Sequence, residues 1–446
     1  PMRCCSITSK PTTLPLGSEP QHAFSGLQSN TTYFFRVRTE GNGNITAFTD
    51  LGSTSTLANI PGTAVTTFTA VDISSMSVAW GTGNNAVSLT TYTVVLSTGS
   101  SYPNTFAGNM SLTTAPVGAL PAATRSGLAG NTTYFLFVGA VNHNGVPTAF
   151  AALGSTVTLA NAPVSAVSTF SAVTNGALVG AWEGNGNGAG TLYEAVVSTE
   201  LPFPNFNLGN VVVSTRPEGA PEASFTSLDA NTTYYLFARA VSHAGAPTAY
   251  TALGATVTLV NPPTTAVTTF TAVTTASLTA AWSANGNGAG TQYKAVISTS
   301  APYPNNSAGN IVVTTAPIGA PWAIFSPLYS NATYYLSVSA INRAGSPTAY
   351  VPLGSTVTVP SVPATVASTF TSVDAGSMTV AWGANNNIAD TRYEATVSTQ
   401  SAFPNINAGN VTASTAPLGA PSAVISGLVG NTTYYLAVRV IGRDGA

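Results

Sequence analysis

Apolar and polar residues alternate in short runs along this chain, and Pro, Asn and Gly separate the runs. Residues 163–261 contain seven such runs, among them ALVGAW at 177–182 and TTYYLFARAV at 232–241. Alternation with a period of two predicts β-strands, and no run has the 3.6-residue period of a helix. Seven short strands with turns between them predict an antiparallel sandwich of two sheets.

Two sequence markers recur at intervals of about 100 residues. The string Asn-Thr-Thr-Tyr, or a close variant, begins at Asn30, Asn131, Asn231, Asn331 and Asn431. A tryptophan within an apolar run recurs at Trp80, Trp182, Trp282 and Trp382. This period is too long for one turn of a solenoid and matches a whole sandwich domain. The sequence therefore predicts a tandem array of similar domains.

Prolines divide the array into five units, numbered here from first to fifth: 1–60, 61–162, 163–262, 263–362 and 363–446. The first unit has only the later strands of the pattern, and the fifth lacks the last strand. Short linkers that contain Pro are stiff. We therefore expect a semi-rigid rod that each complete unit lengthens by about 30–40 Å.

The markers within one unit resemble those of the fibronectin type III family. Trp182 lies in the second strand, Tyr193 opens the third, Leu228 precedes the sixth and Tyr234 lies within it. The segment AVNHNGVPT at 140–148 is similar to the turn that follows the sixth strand in the family. The resemblance implies an all-β, immunoglobulin-like sandwich with core positions at Trp80, Trp182, Trp282, Trp382, Tyr134, Tyr234, Tyr334 and Tyr434.

The segment that leads into the sixth strand is predicted to form a tyrosine corner, in which the hydroxyl of the ring bonds upstream backbone. Asn at this turn tolerates unusual backbone angles and can bond its own chain. The same Asn-x-Thr strings also fit an acceptor for N-linked glycan. The corner explains the strings without sugar, and both interpretations stay open at the level of sequence.

Composition narrows the classes of function. Charged residues make up 6% of the 446 residues and the net charge is −2, which gives no electrostatic reason to expect nucleic acid or anionic lipid. The chain has no apolar run of about 18 residues, so no membrane span is expected. Cys4 and Cys5 are the only cysteines, and neighbouring cysteines rarely form a relaxed disulfide. The units are therefore expected to be held by packing alone.

The residues that carry chemistry do not recur as catalytic groups would. His143 and His243 occupy a loop position that holds Arg343 and Arg443 in later units, which indicates a solvated cation. The glycine-rich loops at 184–190 and 285–290 join strands and open no helix, and we predict flexible turns there. The sequence thus predicts that the chain is not an enzyme and binds no cofactor or metal.

Aromatic residues recur on the predicted outward face of the sixth strand, where an ordinary solvated sheet has polar residues. This pattern predicts a surface that contacts another chain. Its candidate residues are Phe34, Phe135, Phe137, Tyr235, Phe237, Tyr335 and Tyr435.

A second aromatic set recurs in two loops of each unit. The first loop has an aromatic-Pro-Asn motif, predicted to be a fixed turn with its ring folded onto its own domain. The second loop follows a Pro-Thr-Ala turn at a domain end, and its ring is predicted to pack against the neighbouring unit. Stacking on a ligand is the alternative for both loops, and the residues are Tyr102, Phe150, Phe203, Tyr250, Tyr303, Tyr350 and Phe403.

These observations predict a non-catalytic structural or adhesive protein, located extracellularly or at a cell surface, that forms a rod or a filament. Its expected partners are itself and other surface proteins, with glycans as a further candidate. The alternative is an array of carbohydrate-binding accessory modules. The two incomplete ends have two explanations: the sequence is a window cut from a longer repeat protein, or residues 1–60 of one copy complete the unit at 363–446 of the next by strand addition.

Overall fold

The computed structural model describes residues 21–443 except 42, 88, 116–120, 216–220, 317–320 and 416–420. Cys4 and Cys5 lie outside the described residues. All the assigned elements are β-strands, and every strand pairing is antiparallel. The described residues contain no helix that could cross a membrane.

The strands repeat in the same order from unit to unit. The first unit has β1 (Thr32–Val37), β2 (Glu40–Gly41), β3 (Asn44–Ile45) and β4 (Thr49–Ser55). The second has β5 (Gly62–Val71), β6 (Ser75–Gly81), β7 (Thr91–Ser97), β8 (Met110–Thr113), β9 (Ala122–Ser126), β10 (Thr133–Val141) and β11 (Ala151–Val157). The third has β12 (Val164–Ser171), β13 (Ala177–Glu183), β14 (Leu192–Ser198), β15 (Val211–Ser214), β16 (Glu222–Thr226), β17 (Thr233–Val241) and β18 (Thr251–Val257).

The last two units continue this order. The fourth has β19 (Thr264–Thr271), β20 (Leu278–Ser283), β21 (Gln292–Ser298), β22 (Ile311–Thr314), β23 (Trp322–Phe325), β24 (Thr333–Ile341) and β25 (Val351–Val357). The fifth has β26 (Phe370–Val373), β27 (Ser377–Ala381), β28 (Arg392–Ser398), β29 (Val411–Ser414), β30 (Ser422–Ser426) and β31 (Tyr435–Ile441).

Each seven-stranded unit contains two sheets. In the third unit one sheet has the order β12-β13-β16 and the other has the order β15-β14-β17-β18. The second and fourth units repeat this arrangement, as β5-β6-β9 with β8-β7-β10-β11 and as β19-β20-β23 with β22-β21-β24-β25. This confirms the predicted fold class of tandem antiparallel sandwiches.

The core of each sandwich lies between its sheets and is built from the recurrent markers. Trp182 is buried and meets Tyr193 edge-on, with 5.7 Å between the ring centroids. Phe225 and Leu236 are fully buried in the same cluster. The hydroxyl of Tyr234 accepts a hydrogen bond of 3.0 Å from the backbone N–H of Asp229, which closes a tyrosine corner. Burying one such aromatic ring removes about 150–250 Å² from water, so these positions dominate the stability of the unit.

Candidate interface between consecutive units

The corner asparagine of each unit reaches into the next unit. Asn231 is fully buried and has a φ of 50°. Its Nδ2 donates a hydrogen bond of 2.7 Å to Oγ1 of Thr291, and its Oδ1 accepts one of 2.7 Å from the backbone N–H of Arg343. Both partners belong to the fourth unit, so one side chain from the third unit satisfies groups on two segments of its neighbour.

The same clamp occurs at four successive junctions. The amide of the asparagine donates to a threonine 60 residues further on, and its oxygen accepts from a backbone N–H in the loop after the sixth strand of the next unit. The threonine and loop partners are Thr90 and His143 for Asn30, Thr191 and His243 for Asn131, Thr291 and Arg343 for Asn231, and Thr391 and Arg443 for Asn331. All four asparagines are fully buried.

The glycine-rich loop of each unit docks against the corner of the preceding one. Gly130 and Asn187 form a parallel β-bridge between the second and third units. The N–H of Gly188 donates to the carbonyl of Gly130 at 2.7 Å. A Cβ atom at Gly188 would lie 2.5 Å from Oγ1 of Thr132. A methyl group at Gly188 would therefore require the Thr132 hydroxyl to move.

A pair of hydrogen bonds ties the linker to the same loop. The backbone N–H of Asn161 donates to Oδ1 of Asn187 at 2.7 Å, and Nδ2 of Asn187 donates to the carbonyl of Asn161 at 2.9 Å. The linker residue thus has both its backbone groups satisfied by one side chain. The equivalent pairs are Asn59 with Asn85, Asn261 with Asn287 and Ser361 with Asn387.

This geometry corrects the interpretation of the glycine-rich loops and decides between the two interpretations of the clamped asparagines. The loops at 184–190 and 285–290 are not free turns, because their backbone pairs with the preceding unit. The backbone of His143 and His243 takes part in the junction, although their side chains are exposed. Glycan on Nδ2 of the four clamped asparagines is incompatible with the structure, since that atom is hydrogen-bonded in a buried site. The corner residue Asn431 is exposed.

The predicted contact face on the sixth strand is covered in part by its own unit. Phe137 and Phe237 are buried, since a loop after the third strand folds across the sheet. Phe203 in this loop stacks on Phe237 with 5.0 Å between centroids, and Tyr102 meets Phe137 at 5.6 Å. The expectation that Phe137 and Phe237 meet another chain is therefore wrong. Alternation places these rings on the outer side of the sheet, but it gives no information about the loop that covers them.

The other residues of that face differ in exposure. Phe135 and Tyr235 are half-buried, whereas Phe34, Tyr335 and Tyr435 are exposed. For these five residues, contact with another chain stays a prediction.

The second aromatic set packs within its own unit. Tyr102 meets Phe150 edge-on at 4.8 Å. Equivalent edge-on pairs join Phe203 to Tyr250 at 4.8 Å and Tyr303 to Tyr350 at 4.7 Å, while Phe403 is exposed. The expected packing of Phe150, Tyr250 and Tyr350 on the neighbouring unit is wrong, because the loop rings of their own unit cover them. These pairs do not form an open ridge for stacking a ligand.

An ion pair lies beside this ring pair in the third unit. Arg239 contacts Glu194 at 2.8 Å and lies over the ring of Tyr250, whose hydroxyl donates to Glu194. Burial acts to raise the pKa of Glu194, but hydrogen bonds from Tyr250 and Arg239, together with the arginine charge, outweigh it and lower that pKa. Burial, with the negative charge of Glu194, raises the pKa of Tyr250. The cluster holds the ring of Tyr250 in place, because its hydroxyl bonds Glu194 and its face contacts Arg239.

A groove runs along the sixth strand of the fifth unit. Among the described residues β31 pairs with β28 alone, whereas β17 in the third unit has a strand on each side. The groove has a volume of about 330 Å³ and is lined by Trp382, Tyr434 and Leu436 among others. Completion of this unit by a strand of another copy stays a prediction. Among the described residues, no three His, Cys, Asp or Glu side chains form a group that could hold a metal ion.

No protein-family model matches the chain, and no curated protein matches it. Among solved structures, the FN1–FN3 domains of chicken CNTN1 are similar, with 16% sequence identity and a TM-score of 0.25. That match covers 68% of this chain and 99% of the other. Each complete unit has seven strands, three in one sheet and four in the other, and this is the number of strands in a seven-stranded β-sandwich. By their own architecture the described residues form a tandem array of antiparallel β-sandwiches.

Proposed function

We propose that this chain is a stiff, non-catalytic spacer in an extracellular structural or adhesive assembly. The observation that carries the proposal is the asparagine clamp, which recurs at four junctions with the same two kinds of partner. Its partners in such an assembly are further copies of the chain or other surface proteins.

Stiffness follows from the chemistry of the junction. Domains joined by a flexible linker move independently, because their linker groups are solvated and free to rotate. Here the corner asparagine, the glycine-rich loop and the linker backbone are all hydrogen-bonded across the junction. A change of angle between two units would break several buried hydrogen bonds at once, each with a net value of about 1 kcal/mol.

The surface supports a spacer more than a catalyst. The polar residues of the described clusters form hydrogen bonds at unit junctions, at tyrosine corners and within loops. The side chain of Asn205, for example, bonds other residues of its own loop. The low share of charged residues leaves little repulsion between neighbouring rods. Assembly side by side is therefore compatible with this surface, and we include it in the proposal.

Small-angle X-ray scattering of the full chain tests the stiffness. The proposal predicts the profile of a thin rod, with a length set by the number of units. A variant with Asn131→Gly, Asn231→Gly and Asn331→Gly should give a shorter, broader distance distribution with each unit still folded. Scattering from the unaltered chain that already matches freely jointed beads would contradict the proposal.

A further inference from the structure

One tryptophan of the chain stands outside the repeat. Four of the five tryptophans are the buried core markers, and the fifth is Trp322 at the start of β23. The equivalent positions in the other units hold Ala122, Glu222 and Ser422. Since three other units fold without an aromatic residue here, the fold does not require one.

A second apolar replacement lies on the same face. Trp322 is 48% exposed and Ile324, two residues further along the strand, is 56% exposed. Residues two apart on a strand point to the same side, about 7 Å from each other. Ala323 and Phe325, which alternate with them, are buried in the core. The unit thus presents an indole and an isoleucine on the outer face of its three-stranded sheet, where the third unit has Glu222 and Ser224.

Two neutral hydroxyl side chains lie beside Ile324, and the partner of Trp322 across the strands is Ala281. Ile324 pairs with Thr279 on β20, and Thr279 pairs with Thr271 on β19. Residues paired directly across strands share a face, so both threonines lie on the side of Ile324. Across 263–362 the charged residues are Lys294 and Arg343. Lys294 lies on the other sheet, and Arg343 lies in the loop at the junction.

The chemistry of this face selects its partner. The absence of charge on the face argues against an anionic ligand such as nucleic acid or an acidic lipid surface. A stable interface between two proteins buries about 800 Å² on each partner, far more than two side chains provide. A sugar ring matches the available area. Its C–H face packs on the electron-rich face of an indole, and its hydroxyls bond neutral hydroxyl side chains.

We propose that the outer face of the fourth unit, centred on Trp322 and Ile324, binds an uncharged polysaccharide. This goes beyond the proposed spacer function, because the junctions hold the array straight whether or not the face is occupied. It also separates sugar binding from the aromatic loops, whose rings pack on one another. The site gives the rod one adhesive position at a defined unit.

Native gel electrophoresis of the full chain through hydroxyethylcellulose, xyloglucan or laminarin tests the proposal, with insoluble cellulose and chitin as pull-down probes. At least one probe should retard or retain the unaltered chain. Trp322→Ser with Ile324→Ser should weaken that binding by about tenfold or more. These residues are tolerated at the equivalent positions Ser422 and Ser224, so the variant should fold normally. Intrinsic fluorescence gives a second readout, because the four core tryptophans are buried.

A gain-of-function variant completes the test. Glu222→Trp and Ser224→Ile, with Val179→Thr to supply the hydroxyl that Thr279 provides in the fourth unit, would build the same face on the third unit and should restore binding to the Trp322 variant. Absence of binding to every probe, or unchanged binding by the Trp322 variant, would overturn the proposal. So would association of the unaltered chain with itself that the Trp322 variant abolishes, because the face would then be a contact between copies. X-ray scattering of the variant with Trp322→Ser and Ile324→Ser should match that of the unaltered chain. A failure of the sugar-binding proposal can therefore be told apart from a failure of the spacer function.

Discussion

The clamp at Asn231 allows the coupling between two units to be measured. We choose Asn231→Gly, because glycine adopts a φ of 50° without the steric cost that alanine would add. The substitution removes the hydrogen bonds to Thr291 and Arg343 and leaves both units otherwise unchanged. The hydroxyl of Thr291 still donates to the carbonyl of Gly288 at 2.7 Å, so it keeps a partner.

The expected cost follows from the groups left behind. The N–H of Arg343 loses its acceptor, and an unsatisfied buried donor costs about 1–3 kcal/mol. The lost bond to Thr291 adds about 1 kcal/mol. We expect the junction to weaken by about 2–4 kcal/mol, which corresponds to an opening equilibrium about 30- to 900-fold more favourable.

Hydrogen–deuterium exchange measures this opening directly. The amides of Arg343 and Gly288 are bonded across the junction and should exchange faster by that factor. Amides within β17 should keep their rates, since the sandwich itself is intact. Asn431→Gly is the matched control, because Asn431 occupies the same corner with an exposed side chain and should change no junction amide. Unchanged exchange at Arg343 in Asn231→Gly would refute the clamp.

Three further substitutions test neighbouring features. Gly188→Ala places a methyl group 2.5 Å from Oγ1 of Thr132. It should therefore open the junction between the second and third units and speed proteolysis of the linker between them. An unchanged cleavage rate would count against close approach of Gly188 to the second unit. Phe237→Asp should lower the free energy of unfolding of the third unit by roughly 3–5 kcal/mol, because the ring is buried under a loop of its own unit. An effect on assembly without this loss of stability would contradict that packing. Burial and the neighbouring Tyr303 raise the pKa of Tyr350 to about 12. Its neutral form therefore stabilises the fold below about pH 10, and that stabilisation is lost as pH rises through about 12. Tyr350→Phe should reduce the dependence of the free energy of unfolding on pH between about pH 10 and 12, as measured by denaturation at a series of alkaline pH values. An unchanged dependence would show that Tyr350 is not the group responsible.

The fold could be predicted because its signals are local and repeated. Trp182 and Tyr234 each lie in a run whose alternation alone indicates a strand with one buried side. The period of the repeat then gives the size of the domain. Alternation reports only which side of a sheet a residue faces, however. It placed Phe137 on the outer side correctly but carried no information about Tyr102, which a loop brings over it.

The sequence alone does not reveal the junction, because its parts are far apart in the chain and each part resembles an ordinary loop. Asn131, Gly188 and His243 lie in three loops, each of which is plausible as an isolated turn. The order of the strands shows which loops could meet at a junction. The corner before the sixth strand lies at one end of a sandwich, and the loops after the second and sixth strands lie at the other. In a tandem array these ends meet, so loop motifs with the same period are candidates for a junction.

Trp322 shows a different limit of sequence reasoning. Its difference from Ala122, Glu222 and Ser422 is visible in the sequence, but a lone aromatic residue in a strand is more often part of a core. Only the pairing of β23 with β20 shows that Trp322 lies on the outer face. In a repeat protein, a position where one unit departs from the others is therefore informative once its exposure is known.

The distance between two spin labels on consecutive units tests the stiffness of the array most directly. Thr124→Cys and Ser224→Cys occupy equivalent exposed positions on β9 and β16, and Cys4→Ser with Cys5→Ser removes the native thiols. Pulsed electron spin resonance should give one narrow distance distribution, centred at about 30–40 Å, and Asn131→Gly should broaden it. A broad distribution in the chain with its clamp intact would contradict the account of a stiff rod.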